Sequence, residues 1–301
     1  MGFDPLRRLL SLTAGTLAAS LLTACSPARF LGSIEPAAPG GEVRDVAYAA
    51  GPRHAMDIYL PAKGETAPPV VVFFYGGGWR SGDRATYRFA GRSLAACGAL
   101  TIIPDYRVWP ETGFPGFLED AAAAVAAARE TARRYGGDTS RLFLMGHSAG
   151  AYIAMMLALD PAYLAAAGGD QRTALAGVIG LAGPYDFLPL EDPVLEEIFA
   201  PVGPRTQPIT FAANASAPLL LATGASDTTV YPANSQRLAA KVRETGGRAG
   251  TIVYPGIGHI GLLAAFAAPL RFLAPVRADV CRFLGLRSRV ASAIGAELVA
   301  R

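Results

Sequence analysis

The strongest constraint on the fold is a strand-like segment that runs through a glycine–serine turn into a helix-prone segment. Residues 141–145 form a strand-like run that is apolar after Arg141. Gly146-x-Ser148-x-Gly150 follows, and residues 149–159 favour a helix. A turn this sharp crowds the positions two residues either side of the serine, so both need glycine. This context predicts a nucleophile elbow, with the serine hydroxyl beside a helix N-terminus. The alternative, a glycine-rich connection with an incidental serine, is disfavoured by the flanking strand and helix.

Strand-like and helix-like segments alternate along most of the chain. Predicted strands are 42–48, 56–60, 70–74, 99–103, 141–145, 175–181, 218–223 and 251–254; predicted helices are 87–97, 117–135, 149–159, 233–245 and 266–284. Several of the strands are continuously apolar, as strands buried on both faces are. The pattern predicts an α/β fold with a mostly parallel central sheet and helices on both faces. Reactive groups in such sheets collect at the carboxyl ends of the strands.

The chain is long enough for one large domain, which we place at residues 42–286 of the 301. Residues 184–217 interrupt the alternation with proline, acidic and aromatic residues. We predict that this segment is a short cap over the site and the main source of substrate selectivity; a surface insertion is the alternative. Residues 287–301 form a C-terminal tail with no assigned role.

The N-terminus has the composition of an export signal. Arg7 and Arg8 precede an apolar stretch at residues 9–24. This stretch is shorter than the roughly 20 residues that span a bilayer comfortably. We therefore interpret residues 1–24 as a signal peptide.

The end of this segment resembles the lipobox of bacterial lipoproteins. Residues 22–25 read Leu-Thr-Ala-Cys, and in that motif the cysteine is lipidated. We predict lipidation at Cys25, a tether at residues 25–41, and a membrane-anchored protein of the cell envelope. An ordinary secretory signal or an uncleaved anchor is the alternative.

The other two cysteines, Cys97 and Cys281, lie in apolar, helix-like stretches. Neither has a CxxC partner or the spacing of metal ligands, so we predict no metal site and two buried free thiols. A disulfide in an oxidising compartment is the alternative.

The formal net charge is only +3, and no basic cluster is interleaved with aromatic residues. A nucleic-acid partner is therefore not expected.

A serine hydroxyl needs a neighbouring base, usually a histidine that a carboxylate orients. The chain has three histidines. His54 falls in the predicted N-terminal hairpin, and the side chain of His147 diverges from that of its neighbour Ser148. His259 lies in a glycine-rich loop after the last predicted strand. It is therefore the predicted base.

The carboxylate is expected after a strand between the serine and this histidine. Asp227 follows the predicted strand at 218–223 and a turn, and it is the predicted acid; a turn-capping role is the alternative. Asp186, after the preceding strand, is the second choice. The order Ser148, Asp227, His259 is the order expected for this sheet architecture.

Backbone amides for an oxyanion are offered by the glycine triplet Gly76–Gly78. It follows the predicted strand at 70–74, and no side chain obstructs its N–H groups. The amide of Ala149 faces them from the elbow. Donors of this kind stabilise the charge that develops during acyl transfer.

With these residues in place, residues 43–284 resemble α/β-hydrolases of the esterase and lipase group. Residues 74–82 resemble the H-G-G-G-W-type oxyanion loop, and residues 105–121 resemble the D-Y-R-x-x-P-E…F-P…L-E-D-A segment of hormone-sensitive-lipase-like esterases. The resemblance implies that no cofactor is needed. It also implies three oxyanion donors, Gly77, Gly78 and Ala149.

The sequence departs from that pattern at two positions. Tyr75 stands where bacterial members usually have histidine, although cholinesterase-like enzymes have tyrosine there. His147 replaces the acidic residue that often precedes the nucleophile. We predict substrate contacts for Trp79, His147 and Ile260, and we interpret Asp105 as structural, through an ion pair with Arg107 or a turn.

These features predict a serine carboxylesterase that hydrolyses small or medium esters through an acyl-enzyme at Ser148. An aryl formamidase, a feruloyl or acetyl-polysaccharide esterase, an isoprenylcysteine methylesterase-like enzyme and a small peptidase would use the same residues. A catalytically silent binding lipoprotein is the alternative from another class. No predicted triad residue is missing, which disfavours it.

Overall fold

The alternating strands and helices assemble around one eight-stranded sheet. The computed structural model describes residues 27–64, 66–168 and 175–286. Its strands β1 to β8 are, in chain order, Glu42–Ala47, Ala55–Tyr59, Pro69–Phe74, Leu100–Pro104, Asp138–His147, Gly177–Leu181, Leu219–Gly224 and Ala249–Tyr254. They lie in the order β1-β2-β4-β3-β5-β6-β7-β8. β2 is antiparallel to both of its neighbours, and every other pair is parallel.

Helices and short helical turns connect the strands. Among the described residues, helices α1 to α9 are Pro27–Ile34, Arg88–Ala95, Gly116–Arg134, Ala149–Leu159, Pro161–Ala166, Pro193–Ile198, Ala233–Glu244, His259–Ala264 and Val276–Phe283. Three 3₁₀ turns lie at Pro204–Thr206, Pro208–Asn214 and Ala268–Leu270. None of the helices in the described ranges is long and apolar enough to cross a bilayer.

The central strands are covered on both faces. Every residue of β3, β4, β6 and β7 is buried, although successive side chains of a strand point to opposite faces. The predicted mostly parallel sheet, enclosed on both sides, is therefore confirmed. Burying a valine or leucine side chain in this way contributes about 1.5–3 kcal/mol. The sheet is thus a rigid frame for the loops at its carboxyl edge.

The last helix differs from the prediction. A helix was expected over residues 266–284, but α9 covers only Val276–Phe283, and a 3₁₀ turn precedes it. Pro269 and Pro275 lie inside the expected span, and proline removes a backbone donor and clashes within a helix. Pro275 instead lies directly before the first residue of α9, where this cost is avoided.

The segment predicted as a tether, residues 25–41, is in its described part docked on the domain. It contains α1, and the Arg92 guanidinium donates to the carbonyls of Gly32 (2.9 Å) and Glu35 (3.1 Å). The buried Glu35 carboxylate accepts from the Arg271 guanidinium at 2.6 Å and from the amide of Ala268. The cost of burying a charge is offset when the charge is paired and hydrogen-bonded in this way. The tether prediction is wrong for this part.

Three other predictions lie outside the described residues: the signal at 1–24, the lipidation site at Cys25 and the tail at 287–301.

Cys97 and Cys281 form a disulfide that crosses 184 residues of sequence, with 6.1 Å between their Cα atoms. The interpretation as two free thiols is therefore wrong. Cys97 follows α2, Cys281 lies within α9, and these two elements pack together. Their proximity arises from tertiary packing and has no local sequence signature.

Loss of this disulfide is expected to destabilise the fold. In the double variant Cys97→Ser, Cys281→Ser we expect the free energy of unfolding to fall by about 2–5 kcal/mol, because a long loop of the unfolded chain is no longer closed. Chemical denaturation of both proteins, with and without reductant, measures this. Reductant should lower the stability of the unmodified protein and leave the variant unchanged. Equal stability of all four samples would contradict the expectation.

Candidate active site

The elbow has the sharp geometry expected of it. Ser148 directly follows β5 and has φ 55° and ψ −123°, a region that costs a non-glycine residue about 1–3 kcal/mol. A Cβ atom on Gly146 would lie 2.1 Å from the carbonyl oxygen of Gly150, and one on Gly150 would lie 2.1 Å from that of Phe74. Neither position can therefore carry a side chain. Helix α4 begins at the next residue, Ala149, so its N-terminal amides point toward the serine.

The predicted acid and base meet at the ends of two adjacent strands. β7 and β8 pair up to their final residues, Gly224 with Tyr254. In the loops that follow, His259 Nδ1 lies 2.8 Å from Asp227 Oδ2. An N–H on Nδ1 donated to this carboxylate leaves Nε2 of the same ring as the proton acceptor. The structure thus brings His259 and Asp227 together as the sequence predicts.

Asp227 also caps its own turn. Its Oδ1 accepts from the amides of Thr229 and Val230, both at 2.9 Å, while Oδ2 faces the histidine. The capping role and the histidine-orienting role are therefore compatible. The side chain of Asp227 is fully buried, so three hydrogen bonds compensate for its lost hydration. Asp186, the second choice for the acid, instead pairs with Arg237 at 2.6 Å.

The loop that carries the histidine, residues 255–261 and here called the base loop, lies against the elbow. His147, directly before Ser148, contacts His259: its Nε2 lies 3.2 Å from the His259 carbonyl oxygen. The centroids of the two imidazole rings are 4.8 Å apart. No hydrogen bond joins the Ser148 hydroxyl to the histidine within the described residues. Such bonds are often long in the absence of substrate and shorten in the reacting complex.

His147 has a different environment from the one predicted for it. The residue is only 2% exposed, and burial, followed by the neighbouring His259, lowers its pKa from 6.5 to about 3. It is therefore a neutral side chain behind the site. The ring contacts the base loop, and substrate contact by His147 stays a prediction.

The oxyanion loop, residues 75–82, follows β3 and needs glycine at two positions. Gly77 and Gly78 have φ angles of 134° and 60°, which favour glycine. A Cβ atom on Gly77 would lie 2.1 Å from the carbonyl oxygen of Ser81. The Gly77 carbonyl accepts from the amides of Arg80 and Ser81, both at 3.1 Å, which closes the loop on itself. Their role as oxyanion donors, with Ala149, stays a prediction.

Gly77→Ala tests that role. The added methyl group cannot fit without moving the loop, so we expect kcat to fall about 100-fold or more while KM changes much less. Steady-state kinetics on a p-nitrophenyl ester measure this. Gly250→Ala is the control, because a Cβ atom there meets nothing within 4 Å. Unchanged kcat in Gly77→Ala would remove this loop from the site.

Tyr75 anchors the oxyanion loop through a buried polar network. Its hydroxyl donates to Asp105 at 3.0 Å and accepts from Arg53 at 3.3 Å, and its ring stacks on Tyr106 with 4.6 Å between centroids. Asp105 is structural, as predicted, but its ion-pair partner is Arg84. The expected partner, Arg107, pairs with Asp120 instead. Arg53 and Arg84 were not predictable as partners, because nothing in their local sequence indicates these contacts.

Trp79 and Ile260 differ sharply in exposure. Trp79 is 4% exposed and Ile260 is 59% exposed. Four aromatic rings surround the indole: Phe117, Tyr152, Phe187 and Phe199. Ile260, directly after the histidine, is free to contact a bound molecule. Substrate contact by either residue stays a prediction.

The segment at residues 184–217 packs onto this part of the site. It contributes Phe187 and Phe199 to the rings around Trp79. The carbonyl of Thr206, also in this segment, accepts from the hydroxyl of Tyr152 at 2.8 Å. It therefore covers the residue that follows the oxyanion glycines.

The described ranges contain no group of three or more histidine, cysteine, aspartate or glutamate side chains suited to a metal ion. The chemistry available at the carboxyl edge of the sheet consists of a strained serine, a histidine–carboxylate pair and the amides of a glycine-rich loop.

Comparisons with known proteins show what this chain is similar to. A family model described as BD-FAE matches residues 56–242. The probable isoprenylcysteine alpha-carbonyl methylesterase ICMEL1 of Oryza sativa subsp. japonica is 30% identical over 242 residues, which cover 73% of this chain and 57% of that protein. Esterase LipC of Mycobacterium tuberculosis is 34% identical over 149 residues, covering 48% of this chain and 37% of that protein. The chain thus spans little more than half the length of the first of these relatives.

Among solved structures, the inhibited esterase B from Lactobacillus rhamnosis is similar over nearly the whole chain. The TM-score is 0.74 at 18% identity, covering 97% of this chain and 100% of that one. At this identity the similarity shows the fold alone, and the predicted α/β-hydrolase fold is confirmed.

Proposed function

The chain belongs to the BD-FAE family of α/β-hydrolases, and from this we propose that it is a serine carboxylesterase acting on small or medium esters. The observation that carries the proposal is the His259–Asp227 pair, with 2.8 Å between Nδ1 and Oδ2, set against the elbow of Ser148. Relatives named as esterases support the same reaction class.

In the proposed reaction the Ser148 hydroxyl attacks the ester carbonyl carbon and His259 Nε2 takes its proton. The carbonyl oxygen becomes an oxyanion that the amides of Gly77, Gly78 and Ala149 stabilise. The protonated histidine then gives its proton to the leaving alcohol as the C–O bond breaks, which leaves an acyl-enzyme. Water, deprotonated by the same histidine, releases the acid and restores the serine.

Labelling with a fluorophosphonate probe tests the proposal. The serine oxygen displaces fluoride from phosphorus, so we expect one adduct, on the peptide that contains Ser148. Competition by p-nitrophenyl esters of increasing acyl length should slow the labelling and reveal the preferred chain length. A folded protein that neither labels nor hydrolyses any ester of the series would support the silent binding lipoprotein instead.

The second candidate is an isoprenylcysteine methylesterase-like activity, because the first relatives carry that name. Aryl formamides, feruloyl esters and acetylated polysaccharides remain substrates to compare. Rates measured side by side on an isoprenylcysteine methyl ester, ethyl ferulate, an acetylated xylan and an N-formyl arylamine separate these activities. A kcat/KM at least tenfold above that for p-nitrophenyl acetate would identify the preferred class.

We also propose export and anchoring by a lipid on Cys25. The apolar N-terminal stretch and the Leu-Thr-Ala-Cys motif support this, as does the Cys97–Cys281 disulfide, because disulfides persist in oxidising compartments. Metabolic labelling with a fatty acid in a bacterial host tests it. The label should be lost in Cys25→Ala, and an unlabelled parent chain would overturn the assignment.

A further inference from the structure

The imidazole of His147 lies between the oxyanion loop and the base loop. On one side its Nε2 faces the His259 carbonyl at 3.2 Å. On the other side a Cβ atom on Gly76 would lie only 3.1 Å from His147 Nδ1. The ring thus lies against both loops that the proposed reaction needs, and it also packs beside the imidazole of His259, with 4.8 Å between ring centroids.

These contacts determine the protonation state of the ring. A carbonyl oxygen only accepts, so the proton lies on Nε2, and the neutral ring then has a bare lone pair on Nδ1. His147 Nδ1 is buried and has no hydrogen-bond partner among the described residues. A second proton there would be buried with no acceptor, which is costly. The side chain is therefore a neutral donor with a fixed tautomer.

The backbone of the base loop needs a contact of this kind to hold it in one conformation. Glycine occupies positions 256, 258 and 261, and glycine-rich backbone has more conformations to lose than any other. Asp227 fixes the ring of His259 at one nitrogen and leaves the position of the His259 backbone to other contacts. The bond from His147 Nε2 to the His259 carbonyl restrains the backbone from which the ring projects. A neutral neighbour also adds no positive charge beside an imidazole that must become protonated during the reaction.

We propose that His147 is a positioning residue for the catalytic base: its Nε2–H holds the backbone of His259 at the distance from the oxyanion loop that proton transfer from Ser148 requires. This inference rests on the proposed function. Related esterases often carry an acidic residue before the nucleophile. An anionic side chain cannot donate to a carbonyl oxygen, so that residue could not make the contact that His147 makes here.

Two amide variants separate positioning from packing. The side-chain nitrogen of Gln in His147→Gln matches the position of Nε2 and can donate to the His259 carbonyl. In His147→Asn the nitrogen matches Nδ1 and does not reach it. We expect kcat of His147→Asn to fall about 10- to 100-fold with KM within twofold, because displacement of a reacting group by about 1 Å costs up to 100-fold. His147→Gln should recover to within about fivefold of the parent.

Two further measurements keep the test decisive. Thermal unfolding identifies any variant that fails to fold, and the fluorophosphonate labelling rate reports serine activation without turnover. Equal losses in both variants, or losses that follow stability, would show that the ring only fills space. Parent-like kcat in His147→Asn, with Ser148→Ala inactive, would overturn this inference and leave the proposed function intact. Parent-like activity in Ser148→Ala would remove the proposed function itself.

Discussion

Replacing Ser148 with alanine is expected to lower kcat for a p-nitrophenyl ester by about 10⁴-fold or more. The hydroxyl is the only group in the proposed reaction that forms a covalent bond to the substrate. Without it, His259 and the oxyanion loop can still bind an ester and polarise it. Residual catalysis from those parts is about 10³–10⁴-fold over water, so the variant should be slow but measurable.

The measurement needs a control for folding and for contaminating esterases. Ser140→Ala removes an exposed hydroxyl from the beginning of the same strand, β5, and should retain parent-like kcat. Fluorophosphonate labelling should be lost in Ser148→Ala and kept in Ser140→Ala. Unfolding temperatures of the two variants should stay close to that of the parent. Parent-like turnover by purified Ser148→Ala would contradict the assignment.

Asp227→Asn is expected to lower kcat by about 10³–10⁴-fold. Asp227 Oδ1 accepts from two backbone amides, so the asparagine oxygen should take that position. The NH₂ group then faces His259 Nδ1, which must become an acceptor. The proton moves to Nε2, and the nitrogen that should receive the serine proton already carries one. The loss follows from the wrong tautomer, with the backbone unchanged.

Asp186→Asn is the matched control, because Asp186 was the other candidate acid and pairs with Arg237. The paired charges are partly exposed, so the change should cost little stability and leave kcat within about threefold of the parent. A large loss in Asp186→Asn with little effect in Asp227→Asn would reverse the assignment of the acid.

The parts of the site that the sequence reveals are those that depend on local chain geometry. The elbow is set by its two glycines, and the loops with Asp227 and His259 follow apolar strands that end at one edge of the sheet. Their spacing in sequence does not matter, because parallel strands place their carboxyl ends together. The sheet and the Asp227–His259 pair were therefore predictable from pattern alone.

Contacts between distant segments were not predictable in the same way. Asp105 pairs with Arg84 and not with Arg107, two positions away, because the segment that follows the oxyanion loop returns to the end of β4, where the amide of Arg84 also donates to Asp105 Oδ1 at 2.7 Å. The burial of His147 depends on how closely the base loop approaches the elbow. The short last helix is a different case, since Pro269 and Pro275 were visible in the sequence and argue against a helix through them.

The disulfide has a consequence for how the protein tolerates proteolysis. Ser148, Asp227 and His259 all lie between Cys97 and Cys281, and so does the segment at 184–217. A single cut in that segment opens a covalent ring without producing two separable fragments. We expect nicked protein to migrate as one species on a non-reducing gel, to separate into two after reduction, and to retain measurable turnover until then.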